Sequence, residues 1–317
     1  LHYQPPLPRP LITQPVIPSP CAGSGMREKA SWQRPGKLGA GPRASAGFLV
    51  ALGMTILVWS GALPDARAEL VWRTLDPGVE LSQPKVPGRH RAGDGVVTLV
   101  RIDPAKAKLA LAMAKFEGEK ERTAQRWARE KGFAFAINAG LYQSDHMTNV
   151  GLMRDGRRVN NPKQNHYRSI VAFNPRRGAE NPVLLWDRDC DKPGDLRGYD
   201  TVVQNIRLVS CKRRVTWPNA EKEVSLAVLG LDGDGRLVFA FTQSPHTASA
   251  FARLLMRWPL DLRRAQYLEG GRPAQMYLEA GSVTLNLNGL CGGTLGCIGV
   301  TGAAPDGPDD PSLQEHG

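Results

Sequence analysis

Two short stretches place chemically useful groups where a rigid chain can present them. Phe133-Ala134-Phe135-Ala136-Ile137 is an unbroken apolar run that ends in Asn138-Ala139-Gly140, and Ala265–Leu268 ends in Glu269-Gly270-Gly271. A carboxylate or amide at the end of a buried strand is held firmly while facing a cleft, and glycine lets backbone come close to a bound group. Taken singly, each triplet is also ordinary turn chemistry. The expectation rests on the two together.

Other reactive types are less organised. His146, His166 and His246 lie far apart without metal-ligand spacing, and Ser244 with His246 lacks the G-x-S-x-G setting of a nucleophile. Asp232-Gly233-Asp234-Gly235 invites calcium, but a full loop of that type needs Glu at its twelfth position, where Gln243 stands. A tight turn is expected there. No cofactor or metal site emerges from these spacings, and a divalent metal is left open. The basic runs Arg157-Arg158, Arg176-Arg177 and Lys212-Arg213-Arg214 read as solvated loop charge. Cys190, Cys211, Cys291 and Cys297 remain once Cys21 is set aside with the leader. Without a C-x-x-C pair a zinc site is disfavoured, and proximity favours disulfides Cys190–Cys211 and Cys291–Cys297.

The elements that must position these groups are mostly short strands. Val96–Ile102 and Lys108–Ala114 read as a hairpin-like pair around Asp103-Pro104. Further strands are expected at Ser169–Phe173, Val183–Trp186, Val224–Leu231, Leu237–Thr242, Gln275–Leu278 and Val283–Leu287, and a hairpin turns at Asp155-Gly156. Thr123–Lys131 and Thr247–Trp258 carry helix patterns, the first ending at Gly132 and the second stopped by Pro259. The fold class expected is α+β, a single domain over 69–300 with a large mixed β-sheet core and a few helices.

Residues 1–68 read as a disordered leader and signal peptide, and 301–317 as a disordered tail. An apolar, uncharged run from Gly47 to Leu63 follows basic residues and precedes Ala66-Arg67-Ala68, the small-x-small form of a signal-peptidase site. Cleavage after Ala68 predicts a periplasmic or secreted protein with no membrane attachment afterwards; a retained anchor is the rival reading. The formal net charge is +11, yet after residue 68 there are 34 basic and 28 acidic residues. So mixed a surface argues against nucleic acid as partner and suits an anionic small molecule. Oligomeric state is not legible.

Several motifs in order resemble the phosphodiester glycosidase family. They are Ala136-Ile137-Asn138-Ala139-Gly140-Leu141-Tyr142, Gly151-Leu152-Met153, Gln204-Asn205, Leu229–Leu237, Thr242–Pro245 leading into Phe251–Leu255, and Tyr267-Leu268-Glu269-Gly270-Gly271 with Ala274–Tyr277. The resemblance implies hydrolysis of a sugar-1-phosphodiester in envelope or extracellular glycan. It implies Glu269, where the family commonly has Asp, as base or cation stabiliser, with Asn138 beside it. It also implies phosphate or sugar contacts from Gln204 and the Gly140, Gly270 and Gly271 backbone. The family commonly carries an arginine just before the glycine matching Gly230; none lies at 224–227, so Arg207 or Arg168 is expected to take that part. The alternative is a non-catalytic carbohydrate-binding or envelope-associated module on the same fold.

Overall fold

The computed structural model describes residues 70–217, 222–289 and 294–301. The expected leader, the cleavage site after Ala68, Cys291 and the tail beyond Thr301 lie outside them. In chain order the strands are β1 (Arg73–Asp76), β2 (Val79–Ser82), β3 (Val97–Ile102), β4 (Lys108–Met113), β5 (Phe133–Asn138), β6 (Met153–Asp155), β7 (Arg158–Asn161) and β8 (Ser169–Pro175). They continue as β9 (Val183–Asp187), β10 (Tyr199–Val209), β11 (Val224–Leu231), β12 (Leu237–His246), β13 (Arg264–Gly270), β14 (Gln275–Ala280), β15 (Val283–Asn288) and β16 (Gly296–Thr301). Helix α1 (Ala124–Lys131) precedes β5, and α2 (Ala248–Arg257) precedes β13.

The strands form two sheets. The larger runs β1-β2-β3-β12-β11-β13-β10-β6-β7, with β8 on β10 and β9 on β8; the smaller runs β15-β14-β5-β16-β4. Every pairing between these strands is antiparallel, which corrects the mixed sheet expected from sequence. Parallel neighbours need long, usually helical crossovers, and only two short α-helices are present among the described residues. The expected β3–β4 hairpin is also absent: β3 pairs β2 and β12, and β4 pairs β16. Asp103-Pro104 therefore carries the chain from one sheet to the other. Asp155-Gly156 does close the β6–β7 hairpin, and the Asp232 turn joins β11 to β12 with its carboxylate on the Asp234 and Arg236 N–H groups.

The main core lies between the sheets. Leu111, Phe135, Ile137 and Ile298 of the smaller meet Val100, Leu229, Phe239 and Leu268 of the larger. Each outer face takes one helix. Trp127 of α1 is wholly buried against Phe133, Ala136 and Tyr277, and Phe251 and Leu255 of α2 pack on Leu226, Val228 and Val238. Burying one such large side chain stabilises by roughly 1.5–3 kcal/mol. Thr123 and Thr247 cap these helices, accepting hydrogen bonds from the N–H groups of Arg126 and Ala250, each cap contributing about 1 kcal/mol.

A disulfide joins Cys190 to Cys211 across a separation of 21 residues. Cys291, the expected partner of Cys297, lies outside the described residues; Cys297 is a free thiol, fully buried in β16. Its side chain packs with Trp127, Phe133 and Ala136 under α1, an apolar setting that pushes the thiol well above its usual range.

Candidate active site

The chain leaves the larger sheet at Gly270 and enters the smaller one at Gln275, and this crossing is tightly held. Gly271 N–H donates to Ser225 O at 2.9 Å, Ser225 Oγ donates to Gly271 O at 3.0 Å, and Gly289 N–H donates to Ala274 O at 2.8 Å. Asn138, at the end of β5, completes the clamp. Its Oδ1 accepts from Gln275 N–H at 2.6 Å and its Nδ2 donates to Pro273 O. The side chain is fully buried. Asn138 therefore positions the crossing and presents no free group to a substrate, which corrects its expected role beside the sugar.

Glu269 is placed by a register shift in β13. Val228 lies opposite Tyr267 and Ala227 opposite Glu269, so Leu268 is the extra residue of a β-bulge. Regular alternation would send Leu268 and Glu269 to opposite faces. The bulge instead aligns Glu269 with Ala227, which like Leu268 belongs to the core between the sheets. Glu269 thus turns inward at the mouth of the inter-sheet space. The residue is partly exposed, yet its carboxyl is largely stripped of water. That desolvation pushes it up to about 8, against a modest downward pull from Gly270 N–H, which donates to Oε1 at 3.1 Å.

Two phenols flank this carboxyl. Tyr142, four residues after Asn138, donates to Met153 Sδ at 3.9 Å and is raised by burial, then by the nearby Cys297 and Glu269. Tyr267 is likewise raised by burial and then by Glu269. Its ring stacks on Trp217 at 4.8 Å between centroids, and its hydroxyl lies against Gly270, where an added Cβ would sit 2.1 Å away. Gly296 is similarly small beneath the Tyr142 hydroxyl. A proton-bearing acid thus lies within electrostatic reach of two phenols, while the Trp217–Tyr267 pair packs on the α2 face of the larger sheet.

The remaining predicted residues divide. Gly140 is buried against Asn205, whose Oδ1 would stand 2.4 Å from an added Cβ, and Asn205 Nδ2 donates to Ala139 O at 2.9 Å. Gln204 is fully buried, donating to Tyr167 O at 2.6 Å and accepting from the N–H groups of Leu152 and Asn165. Both brace the loops rather than face a cleft. The Gly270 and Gly271 N–H groups expected for phosphate are engaged by Glu269 and Ser225. Arg207 donates from Nη1 to Asp187 at 2.6 Å and Asp189 at 2.7 Å, and Arg168 to Asp189 at 2.7 Å. Both expected phosphate ligands are thus already neutralised, beside the disulfide rather than beside Glu269's phenols. Among the described residues no three of His, Cys, Asp or Glu converge as metal ligands would. Sequence reasoning quoted Tyr142 and Tyr267 without giving them a role. Their signal was position, since each stands within four residues of a candidate polar group at a strand end.

The family model for phosphodiester glycosidase matches residues 131–294, just over half of the chain, and spans Asn138, the crossing and Glu269. This chain belongs to the phosphodiester glycosidase family. A solved structure of a hypothetical protein from Synechocystis superposes with a TM-score of 0.54 at 14% identity, covering 70% of this chain and 62% of that one. The chain thus spans less than two thirds of that relative. The zebrafish N-acetylglucosamine-1-phosphodiester alpha-N-acetylglucosaminidase catalytic domain, auto-inhibited by its pro-peptide, superposes with a TM-score of 0.50 at 11% identity, covering 72% of this chain and 85% of that one. These likenesses show a shared fold. No curated protein matches the sequence at a significant level.

Proposed function

We propose that this chain hydrolyses a sugar-1-phosphodiester and that Glu269 supplies the proton. The observation carrying the reading is the Glu269 carboxyl turned inward by the β13 bulge inside the family's matched region, a setting whose burial pushes it up to about 8. Burial favours its neutral form, so an approaching phosphodiester anion meets no fixed negative charge there. The sequence-based roles of base or cation stabiliser would each need the ionised carboxylate, which this setting disfavours.

Breaking the bond between the sugar C1 and its bridging oxygen develops positive charge on the ring and negative charge on the phosphate. Glu269 donates its proton to the bridging oxygen, and the bond's electron pair leaves with the phosphate. Water then adds to C1 and releases a proton that restores the acid. Such proton transfer is worth on the order of 10²- to 10⁴-fold. Glycosidases usually set two carboxylates about the bond; among the described residues no second carboxylate shifts Glu269. A phosphate is already a good leaving group, so one acid suffices.

Export belongs to the same reading. The leader pattern and the Cys190–Cys211 disulfide both fit an oxidising compartment outside the cytoplasm, and no helix among the described residues is long and apolar enough to cross a membrane. A second reading, sugar-phosphate binding without turnover, is favoured by the absence of an arginine at 224–227, where the family commonly carries one. Release of free sugar from a panel of sugar-1-phosphodiesters decides between them. Turnover that Glu269→Gln abolishes supports hydrolysis; silence across the panel, with binding retained, supports the module.

A further inference from the structure

The arginines nearest the site by sequence expectation are unavailable to an incoming anion. Arg207 and Arg168 are paired with Asp187 and Asp189, Arg264 with Asp191, and Arg154 donates to three backbone carbonyls. Arg272 differs. It is exposed, and among the described residues it has no ion pair and no side-chain hydrogen bond. Exposed arginines on loose loops are ordinarily just solvated, but this one rides on the clamped crossing. Ala274 N–H donates to Gly271 O at 3.2 Å, closing a turn over Arg272 and Pro273, while Ser225 holds one end and Asn138 the other. Gly289 packs so closely that an added Cβ would lie 2.4 Å from Gly271 O. The result is an unpaired cation on a rigid turn, three residues after Glu269 in the chain and two after Gly270, against which the Tyr267 hydroxyl lies.

From this juxtaposition we infer that Arg272 is the anion anchor of the site, binding the non-bridging oxygens of the phosphodiester while Glu269 addresses the bridging one. The inference rests on the functional reading above and adds its selectivity. The planar guanidinium matches two phosphate oxygens at once, which an ammonium does not. The anchor therefore favours an anionic diester over a neutral glycoside of the same sugar.

The test compares wild type, Arg272→Ala and Arg272→Lys by calorimetric titration with a sugar-1-phosphate methyl diester and with the corresponding neutral methyl glycoside. Steady-state hydrolysis of the diester is measured alongside. Arg272→Ala should weaken diester binding and raise its KM by about 10- to 100-fold, the range of a lost charge-assisted hydrogen bond. Binding of the neutral glycoside should not change, and Arg272→Lys should recover only part of the loss. Because the side chain is exposed, melting temperatures should coincide. Hydrolysis by wild type with an unaltered KM in Arg272→Ala overturns the anchor and leaves the hydrolase reading standing. Diester binding that needs Arg272 without any turnover supports the anchor and removes hydrolysis. Wild type that neither binds nor cleaves the diester overturns both.

Discussion

Replacing Glu269 with Gln separates a buried acid from an ordinary surface carboxylate without any knowledge of the substrate. In the unfolded chain Glu269 loses its proton near 4.5; in the folded protein it keeps it until about 8. Between those values the native state binds the extra proton, so wild-type stability must fall as pH rises, and it levels off above about 8. Gln has no such dependence. The full gap corresponds to an upper bound of about 5 kcal/mol at ~1.36 kcal/mol per pH unit. Urea denaturation of both proteins at half-unit steps from pH 4.5 to 9.5, with the disulfide intact, reads the difference directly. Glu269→Gln should match wild type near pH 4.5 and gain on it steadily to pH 8, then run parallel. In thermal melts that upper bound corresponds to about 10–20 °C for a body of this size. Stability curves that stay parallel from pH 4.5 to 8 would show an ordinary carboxylate and refute the desolvation argument.

Asn138→Ala strips the partners from Gln275 N–H and Pro273 O and should cost about 2–4 kcal/mol, seen as a lower urea midpoint at unchanged slope. Gly140→Ala brings a Cβ to 2.4 Å from Asn205 Oδ1 and should destabilise by about 1–3 kcal/mol; adding Asn205→Ala should recover part of that loss, and strict additivity would contradict the close contact. Reducing Cys190–Cys211, which spans 21 residues, should lower stability by about 3 kcal/mol, with Cys190→Ser and Cys211→Ser each reproducing the reduced protein's melting point.

Local structure was the part of the fold most legible in the sequence. The Thr123 and Thr247 caps, the Asp155-Gly156 turn and the β11–β12 hairpin follow from residue types that act on their near neighbours. Long-range pairing was not. Asp103-Pro104 looks like a hairpin turn, but whether β4 folds back on β3 or crosses to β16 depends on a partner nearly two hundred residues away. Strand β16 itself was hidden, because Gly296-Cys297-Ile298-Gly299-Val300 reads as glycine-rich loop. Its glycines are explained by Tyr142 and Phe133, which lie against them. Strand β10 was seen only as the dipeptide Gln204-Asn205. In the site, the ordered motifs put Asn138 and Glu269 forward together, and Asn138 bonds to Pro273 and Gln275 beyond Glu269. Asn138's clamping role was not legible, since an amide that holds backbone and one that faces a ligand have the same sequence. The bulge at Leu268 had no signature either, being fixed by register against β11.

The pH dependence of kcat/KM for hydrolysis of a sugar-1-phosphodiester tests most directly whether a protonated Glu269 drives the reaction. The rate should hold through neutrality and fall tenfold per pH unit above about 8, with that limb missing from the residual activity of Glu269→Gln. A rate that instead climbs through pH 8, or a falling limb that persists unchanged in Glu269→Gln, would contradict the assignment of Glu269 as the acid.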